Sequence, residues 1–392
     1  MELLRGREVA YEVLGNKDVS VRERVMDIPM TREEIRMAKS SLSGKAQTVL
    51  GLVDARDLGI TLPHEHLFVD IRFMLAEPKD VEGKKLCYQK LNMENLWWVR
   101  RNILSHVDNM VLDEEATAIR EVDHFKQAGG KTIVDLTPIG VGGNPTGLVR
   151  VSKVTKINII MGVAYYIAAS YTPAMEIDSK KEEDIAQEFI QAIRVGVNGS
   201  GIKAGIIGEI GCSWPMVEGE KKVLRAAGMA QIETGAAINI HPGPDEDCPL
   251  ECVRILKEVG ADIHRVCFSH MTRTFSPEAD KARFRLAESG CCLVYDWFGR
   301  EGLRPISLVS KKVLVNDITR ISQIKELIEK GFLKQIMISH DVCFKVMLRA
   351  YGGSGFDWVP TITVSEMRQS GLTEEQIHTI LIRNPARIMS FV

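Results

Sequence analysis

The chain has 392 residues, 45% hydrophobic and 26% charged, a globular composition that excludes a disordered, collagenous or coiled-coil chain. Fifty Lys and Arg stand against 52 Asp and Glu, a formal net charge of −2. With no long block of one sign, a general nucleic-acid or membrane-surface binder is excluded as well.

Residues 1–45 read as an N-terminal extension with a capped helix in TREEIRMAK, followed by a barrel domain over 46–392. SSLSGKAQTVLGLVDARDLG predicts a small strand pair leading into that domain. From Ile60 onward, short β-branched runs alternate with amphipathic stretches, and strands are predicted over 60–70, 131–137, 157–165, 204–211, 236–242, 265–271, 291–297 and 335–341. The stretches between them carry apolar residues at helical spacing, and most end on Gly. Near-continuous apolar strands followed by helices make a parallel sheet covered on its outer face, and eight such units close a (β/α)8 TIM barrel. Residues 71–112 are a long first βα insertion, read either as a lid or as a rim helix that buries Trp97 and Trp98. The uncharged run 157–175 has 19 residues, near spanning length, but Asn158, Ser170, Thr172 and Pro173 interrupt it, so a buried strand plus a loop is expected and no membrane span. An open doubly wound sheet would need a Gly-rich phosphate turn; Gly140-Val-Gly142-Gly143-Asn-Pro145 places a proline at the third glycine and reads as a loop entering a helix.

Eight cysteines are scattered without a C-x-x-C pair, which predicts a reduced, cytoplasmic setting. The mixed charges of MELLRGREVAYEVLG predict no secretory leader. Cys248 and Cys252, four apart on an amphipathic helix, read as core thiols.

Where the nine histidines fall points to chemistry. His64 and His66 are two apart on the first strand and share a face. Glu209, His241, His270 and Asp341 end the fourth, fifth, sixth and eighth strands. Those six side chains gather at the C-terminal ends of five strands, where a (β/α)8 barrel converges its catalytic groups. A lone strand-end His is ordinarily structural; six metal-competent residues at matching positions argue for a metal site. Imidazole and carboxylate suit zinc, manganese, cobalt or iron, and a carboxylate can bridge two ions. Two divalent ions are expected, zinc foremost, activating water and polarising a carbonyl or phosphoryl oxygen. His340 precedes Asp341 and should point away from the interior.

TLPHEHLFVD, GEIGCSWP, INIHPG, FSHMTRT and ISHDV, in that order, resemble the phosphotriesterase branch of the amidohydrolase superfamily. SSLSGKAQTVLGLV, IKAGIIGEIGCSWP and YGGSGF are similar to its phosphotriesterase-related proteins, over roughly residues 37–392. The resemblance implies that His64, His66 and Asp341 hold the more buried ion, His241 and His270 the more exposed one, and Glu209 bridges them. It implies that Asp341 is also the general base. In the phosphotriesterases proper a carboxylated lysine fills the place of Glu209, and Lys203, six residues upstream, cannot substitute for it; the departure points away from organophosphates. The phosphotriesterase-related branch implies hydrolysis of N-acetyltaurine, a small anionic N-acyl substrate, to taurine and acetate. The alternative is a lactone, carboxylic ester or phosphoester hydrolysed at the same centre. A sulfonate needs a cation, and Arg273, then Arg300, are the candidates, with Tyr166 and Trp214 as pocket walls. A homodimer is compatible with this reading. A binding protein with structural metals would need closed four-ligand sites, whereas six groups for two ions leave coordination open.

Overall fold

The structure, a computed structural model, describes residues 42–271, 277–303 and 315–392. Strands β1 (Lys45–Thr48) and β2 (Gly51–Asp54) form the expected antiparallel hairpin. The first barrel strand, β3 (Thr61–Glu65), is followed by an insertion whose two-residue strands β4 (Val69–Asp70) and β5 (Val111–Leu112) pair antiparallel. The remaining barrel strands are β6 (Thr132–Asp135), β7 (Asn158–Val163), β8 (Ile206–Gly211), β9 (Ile238–His241), β10 (Val266–Phe268), β11 (Cys292–Tyr295) and β12 (Ile336–Ile338). They lie side by side and parallel in the order β3, β6, β7, β8, β9, β10, β11, β12. All eight predicted barrel strands are therefore present, each shorter than its apolar run.

The first and last strands meet without a regular ladder. His64 N–H donates to Ser339 Oγ and Asp341 N–H to His64 O, both at 3.2 Å. The buried Glu65 carboxylate stitches the same seam: Oε1 accepts from Ser339 Oγ at 2.7 Å and from the His340 ring and N–H at 2.7 and 2.9 Å, and Oε2 accepts from Val342 N–H at 2.9 Å.

Alternation along the strands sorts two cores. Ile133, Ile159, Leu293 and Ile336 face the layer beneath the helices, while Val134, Ile160, Val294 and Met337 form a separate apolar cluster, which the period of two assigns to the barrel interior. Ala46 of the hairpin, Leu58, and Ile388 and Met389 near the C-terminus belong to that inner cluster and plug its lower end. The helices fall where the 3.6-residue spacing put them, from Glu115–Gln127 to Asp317–Glu329. Asn144 caps Pro145–Thr155 by accepting from Gly147 N–H at 2.9 Å, so the Gly140 to Pro145 stretch is a loop into a helix. In the long uncharged run, β7 gives way to a loop after Val163. No described helix is long and apolar enough to cross a membrane.

The insertion departs from the expected rim helix with buried tryptophans. It carries only short helices, Val81–Cys87 and Leu96–Val99. Trp97 is 64% exposed and Trp98 is half-buried, its ring centroid 6.4 Å from that of His106. What the insertion packs inward is aliphatic: Ile71, Met74 and Leu104 reach the cavity described below. TREEIRMAK lies outside the described residues.

Candidate metal centre

Simple alternation does not by itself aim the candidate ligands. Leu62 lies in the outer layer, so His64, two residues on, would face outward too. The step from Leu62 to Glu65 instead opposes the shorter step from Ile133 to Asp135, a bulge that shifts the phase by one and turns His64, with His66 after it, inward. Strand β8 repeats the device. Between Ile207 and Ile210, both in the outer layer, a bulge turns Glu209 inside. At the ends of β10 and β12, His270 and Asp341 take left-handed backbone conformations, φ 60° and 53°, which non-glycine residues adopt only when their surroundings hold them there. Two hydrogen bonds from the backbone do so, His270 N–H to Asp296 Oδ1 at 3.0 Å and Asp341 N–H to His64 O at 3.2 Å. His241 needs no such help, since Asn239 and His241 are in phase facing inward.

These turns bring all six predicted ligands together. His64, His66 and Asp341 form one triad of donor atoms and His64, Glu209 and His270 another, each with its atoms within 4.8 Å of one another. Asp341 Oδ1 lies 3.2 Å from His66 Nε2 and 3.7 Å from His64 Nε2. Glu209 Oε1 lies 3.1, 3.2 and 3.4 Å from His270 Nε2, His241 Nδ1 and His64 Nε2. Ligands about 2.1 Å from one ion at tetrahedral angles stand roughly 3.4 Å apart, so the spacings suit metal coordination. One atom tests the fit directly: His64 Nε2 is buried, has no hydrogen-bond partner and faces both carboxylates. A divalent ion satisfies it, and the two clusters are consistent with a binuclear site.

Behind the ligands, Asp296 Oδ2 accepts from His64 Nδ1 at 2.7 Å and its Oδ1 from His270 Nδ1 at 2.9 Å. Thr137 Oγ1 lies 3.0 Å from His66 Nδ1. Such contacts fix which ring nitrogen is presented to a metal. Burial opposes charge on His64, yet Glu209, Asp296 and Asp341 outweigh it and hold its imidazolium well above the usual range. Burial likewise opposes charge on Glu209, and His64 and His241 outweigh it, holding the carboxyl well below the carboxylate range. The carboxylates thus favour positive charge among these imidazoles, the environment a divalent cation would enter.

The sequence reading omits Asp296, although it stands in phase with Cys292 and Val294 of the inner cluster and the alternation on the seventh strand points it inward. It also omits Trp297, whose Nε1 donates to Asp341 Oδ2 at 3.2 Å. His340 faces away from the centre, as expected, its Nδ1 2.7 Å from Glu65 and its Nε2 accepting from Val359 N–H at 3.0 Å.

Over the centre opens a cavity of about 410 Å³. His66, Glu209, His241, His270 and Asp341 line its floor; Tyr166, Trp214 and Arg300 are on its walls. Tyr166 OH sits 3.1 Å from His241 Nδ1. Arg300 stacks over Trp297, 5.0 Å from the ring centroid, and is tied to Asp341 Oδ2 and, through Nε at 3.0 Å, to His340 O. It is therefore bound up with the candidate base as well as facing the cavity. Arg273 lies outside the described residues.

A model of the Phosphotriesterase family matches residues 44–389. A phosphotriesterase-related protein from Nematostella vectensis is 40% identical over 353 residues, 89% of this chain and 99% of its own. N-acetyltaurine hydrolase from Homo sapiens is 38% identical over 353 residues, 90% of this chain and 99% of its own. Among solved structures, a resiniferatoxin-binding protein from Rhodobacter sphaeroides is similar with a TM-score of 0.84 at 31% identity, over 88% of this chain and 95% of that one. With that match running from the hairpin through the last helix, the chain belongs to the phosphotriesterase family.

Proposed function

We propose that the chain is a binuclear metal-dependent hydrolase, with zinc the expected ion, that cleaves the amide of N-acetyltaurine to taurine and acetate. The observation that carries the metal chemistry is the buried His64 Nε2, without a hydrogen bond, between the Glu209 and Asp341 carboxylates. The choice of amide is supported by the likeness to an N-acetyltaurine hydrolase along nearly that protein's whole length. In this reading His64, His66 and Asp341 would hold one ion and His241 and His270 the other, with Glu209 available to both.

Ions held there supply Lewis-acid activation of water and of the scissile carbonyl. Asp341, oriented by Trp297 Nε1 and Arg300, accepts the proton of the attacking water and returns it to the taurine nitrogen as the C–N bond breaks. Tyr166 offers its hydroxyl to the charge that develops on the carbonyl oxygen. Arg300 offers the sulfonate a guanidinium N–H from the cavity wall.

The test is acetate release from N-acetyltaurine, followed by proton NMR on the protein as purified, after chelation and after zinc is restored. Activity that vanishes on chelation and returns with zinc is expected. No acetate from a zinc-loaded sample would refute the amide reading and favour the second one, a lactone, carboxylic ester or phosphoester substrate at the same centre, which the apolar part of the cavity wall also suits.

A further inference from the structure

Resting on that reading, we infer that Glu220, which neither lines the cavity nor hydrogen-bonds to a candidate ligand, is a positioning residue for the reaction: it holds the Tyr166 hydroxyl in its place beside His241. Two observations lead there, the donors that converge on its buried carboxylate and the close approach of the two loops they come from.

Glu220 is the third residue of the helix Glu218–Thr234. A glutamate there ordinarily stays at the surface and reaches back to the backbone at the helix start, and its Oε2 does accept from Val217 N–H at 3.3 Å. This one is fully buried, and its remaining donors come from outside the helix. Oε2 accepts from Ser213 N–H at 2.9 Å and from the Ser213 hydroxyl at 2.7 Å, and Oε1 accepts from Ala168 N–H at 2.8 Å. One carboxylate therefore joins the loop after β8 to the loop after β7. Both loops supply cavity walls, Trp214 from the first and Tyr166 from the second. Hydrogen bonds to a buried charge are the strong ones, and leaving one unmade is costly.

The loops also touch directly. Gly211 ends β8, and a Cβ on it would stand 2.2 Å from Ile167 N and 2.3 Å from the Tyr166 carbonyl carbon, so the strand that presents Glu209 runs against the backbone that presents Tyr166. Gly211 N–H donates to Tyr165 O at 3.2 Å. Tyr166 is thus pinned on both sides, by Gly211 through the residue before it and by Glu220 through Ala168 after it. Between those pins its hydroxyl lies 3.1 Å from His241 Nδ1, where the proposed reaction gives it the charge on the carbonyl oxygen. The second pin hangs on one carboxylate oxygen. Glutamine at 220 keeps its amide oxygen for the three donors at Oε2 and turns its NH2 toward Ala168 N–H, so Glu220→Gln cuts that pin and spares the rest.

The experiment is a double-mutant cycle of Glu220→Gln and Tyr166→Phe, read as kcat and KM for acetate release from N-acetyltaurine by the zinc-loaded proteins, with zinc affinity measured by chelator competition. Displacing a reacting group by about 1 Å costs up to about a hundredfold in rate. Glu220→Gln should lower kcat at least about tenfold with Tyr166 present and less than about twofold in Tyr166→Phe, while KM and zinc affinity stay within about threefold. An equal fall in kcat in both backgrounds, or a Tyr166→Phe variant with the wild-type kcat, would overturn the inference and leave the amide reading standing. A second readout needs no turnover. With 3-fluorotyrosine at the seven tyrosines, the fluorine NMR line lost in Tyr166→Phe should move or broaden in Glu220→Gln; an unchanged line would overturn the inference too. That line displaced, with no acetate released by the wild type, would support the hold of Glu220 on Tyr166 and refute the amide reading. If Glu220→Gln fails to fold, Ser213→Ala, which takes one of the four donors from the same carboxylate, replaces it in the cycle and in the spectrum.

Discussion

Asp296→Asn changes one atom at a fully buried position and should loosen the metal centre. The carboxylate gives one oxygen to His64 Nδ1 at 2.7 Å and the other to His270 Nδ1 at 2.9 Å, so both rings present Nε2 forward. Asparagine has a single acceptor. Whichever way the amide turns, one imidazole N–H meets an NH2 donor; His270 then loses its side-chain acceptor, whereas His64 keeps Ser269 Oγ, 2.9 Å from its Nδ1. Losing one charge-assisted hydrogen bond costs about 1.5–3 kcal/mol, or roughly 10- to 100-fold in metal affinity, the usual effect of removing a group that orients a metal ligand. Because His64 is assigned to one ion and His270 to the other, the variant weakens the ion whose imidazole faces the NH2 group. The assay is competition for zinc against a chromophoric chelator at neutral pH, with circular dichroism to establish that the fold is retained. Affinities within threefold of wild type for both ions would refute the assignment of Asp296 as the residue that orients these imidazoles.

Three further outcomes follow from the geometry. Asp341→Asn and His64→Ala should each lower turnover by at least a hundredfold while the far-ultraviolet dichroism is unchanged; full activity in either variant would remove that residue from the mechanism. Glu65→Ala strips the acceptor from Ser339, His340 and Val342 and should cost about 3–5 kcal/mol in urea unfolding, a loss under 1 kcal/mol contradicting the role given to the seam. Burial opposes ionisation of Asp108, but hydrogen bonds from Lys90, Leu91 N–H and Lys345 outweigh it and lower its pKa to about 2. A depressed carboxylate stabilises the fold above its unfolded pKa of about 4 and loses that contribution as pH falls towards 2, so about 2 kcal/mol should separate wild type from Asp108→Asn at pH 7 and shrink at pH 3. An equal gap at both pH values would refute the ion-pair account.

Much of this arrangement is written in local sequence. Alternation of apolar runs with helical stretches is enough to locate every barrel strand, since parallel strands are buried on both faces and each helix needs its own apolar stripe. The six metal-competent residues were legible because each stands at a strand end. Their aim was not. His64 and Glu209 face inward only through bulges, and His270 and Asp341 sit at left-handed positions; both depend on how a strand meets its neighbour, which no single segment encodes. Asp296 is legible by the same alternation that sorts Val294 inward, but it marks no metal ligand: it stands behind two of them, a relation that only the folded barrel creates. The insertion misleads for a different reason: tryptophan ordinarily signals burial, yet Trp97 stays exposed while the aliphatic Ile71, Met74 and Leu104 take the inward places.

The seam between β3 and β12 lies among the candidate ligands themselves, since His64 and Asp341 exchange a backbone hydrogen bond across it. A barrel joined there by side chains rather than by a ladder should open there first, and each opening scatters the donor atoms of a triad. An ion bound by those residues then acts as a clasp, because it binds the shut state alone and raises the free energy of opening with its own saturation. Loading with zinc should therefore slow deuterium exchange at the His340 and Val342 amides well before it alters exchange in the outer helices, joining metal uptake to the breathing of the whole barrel.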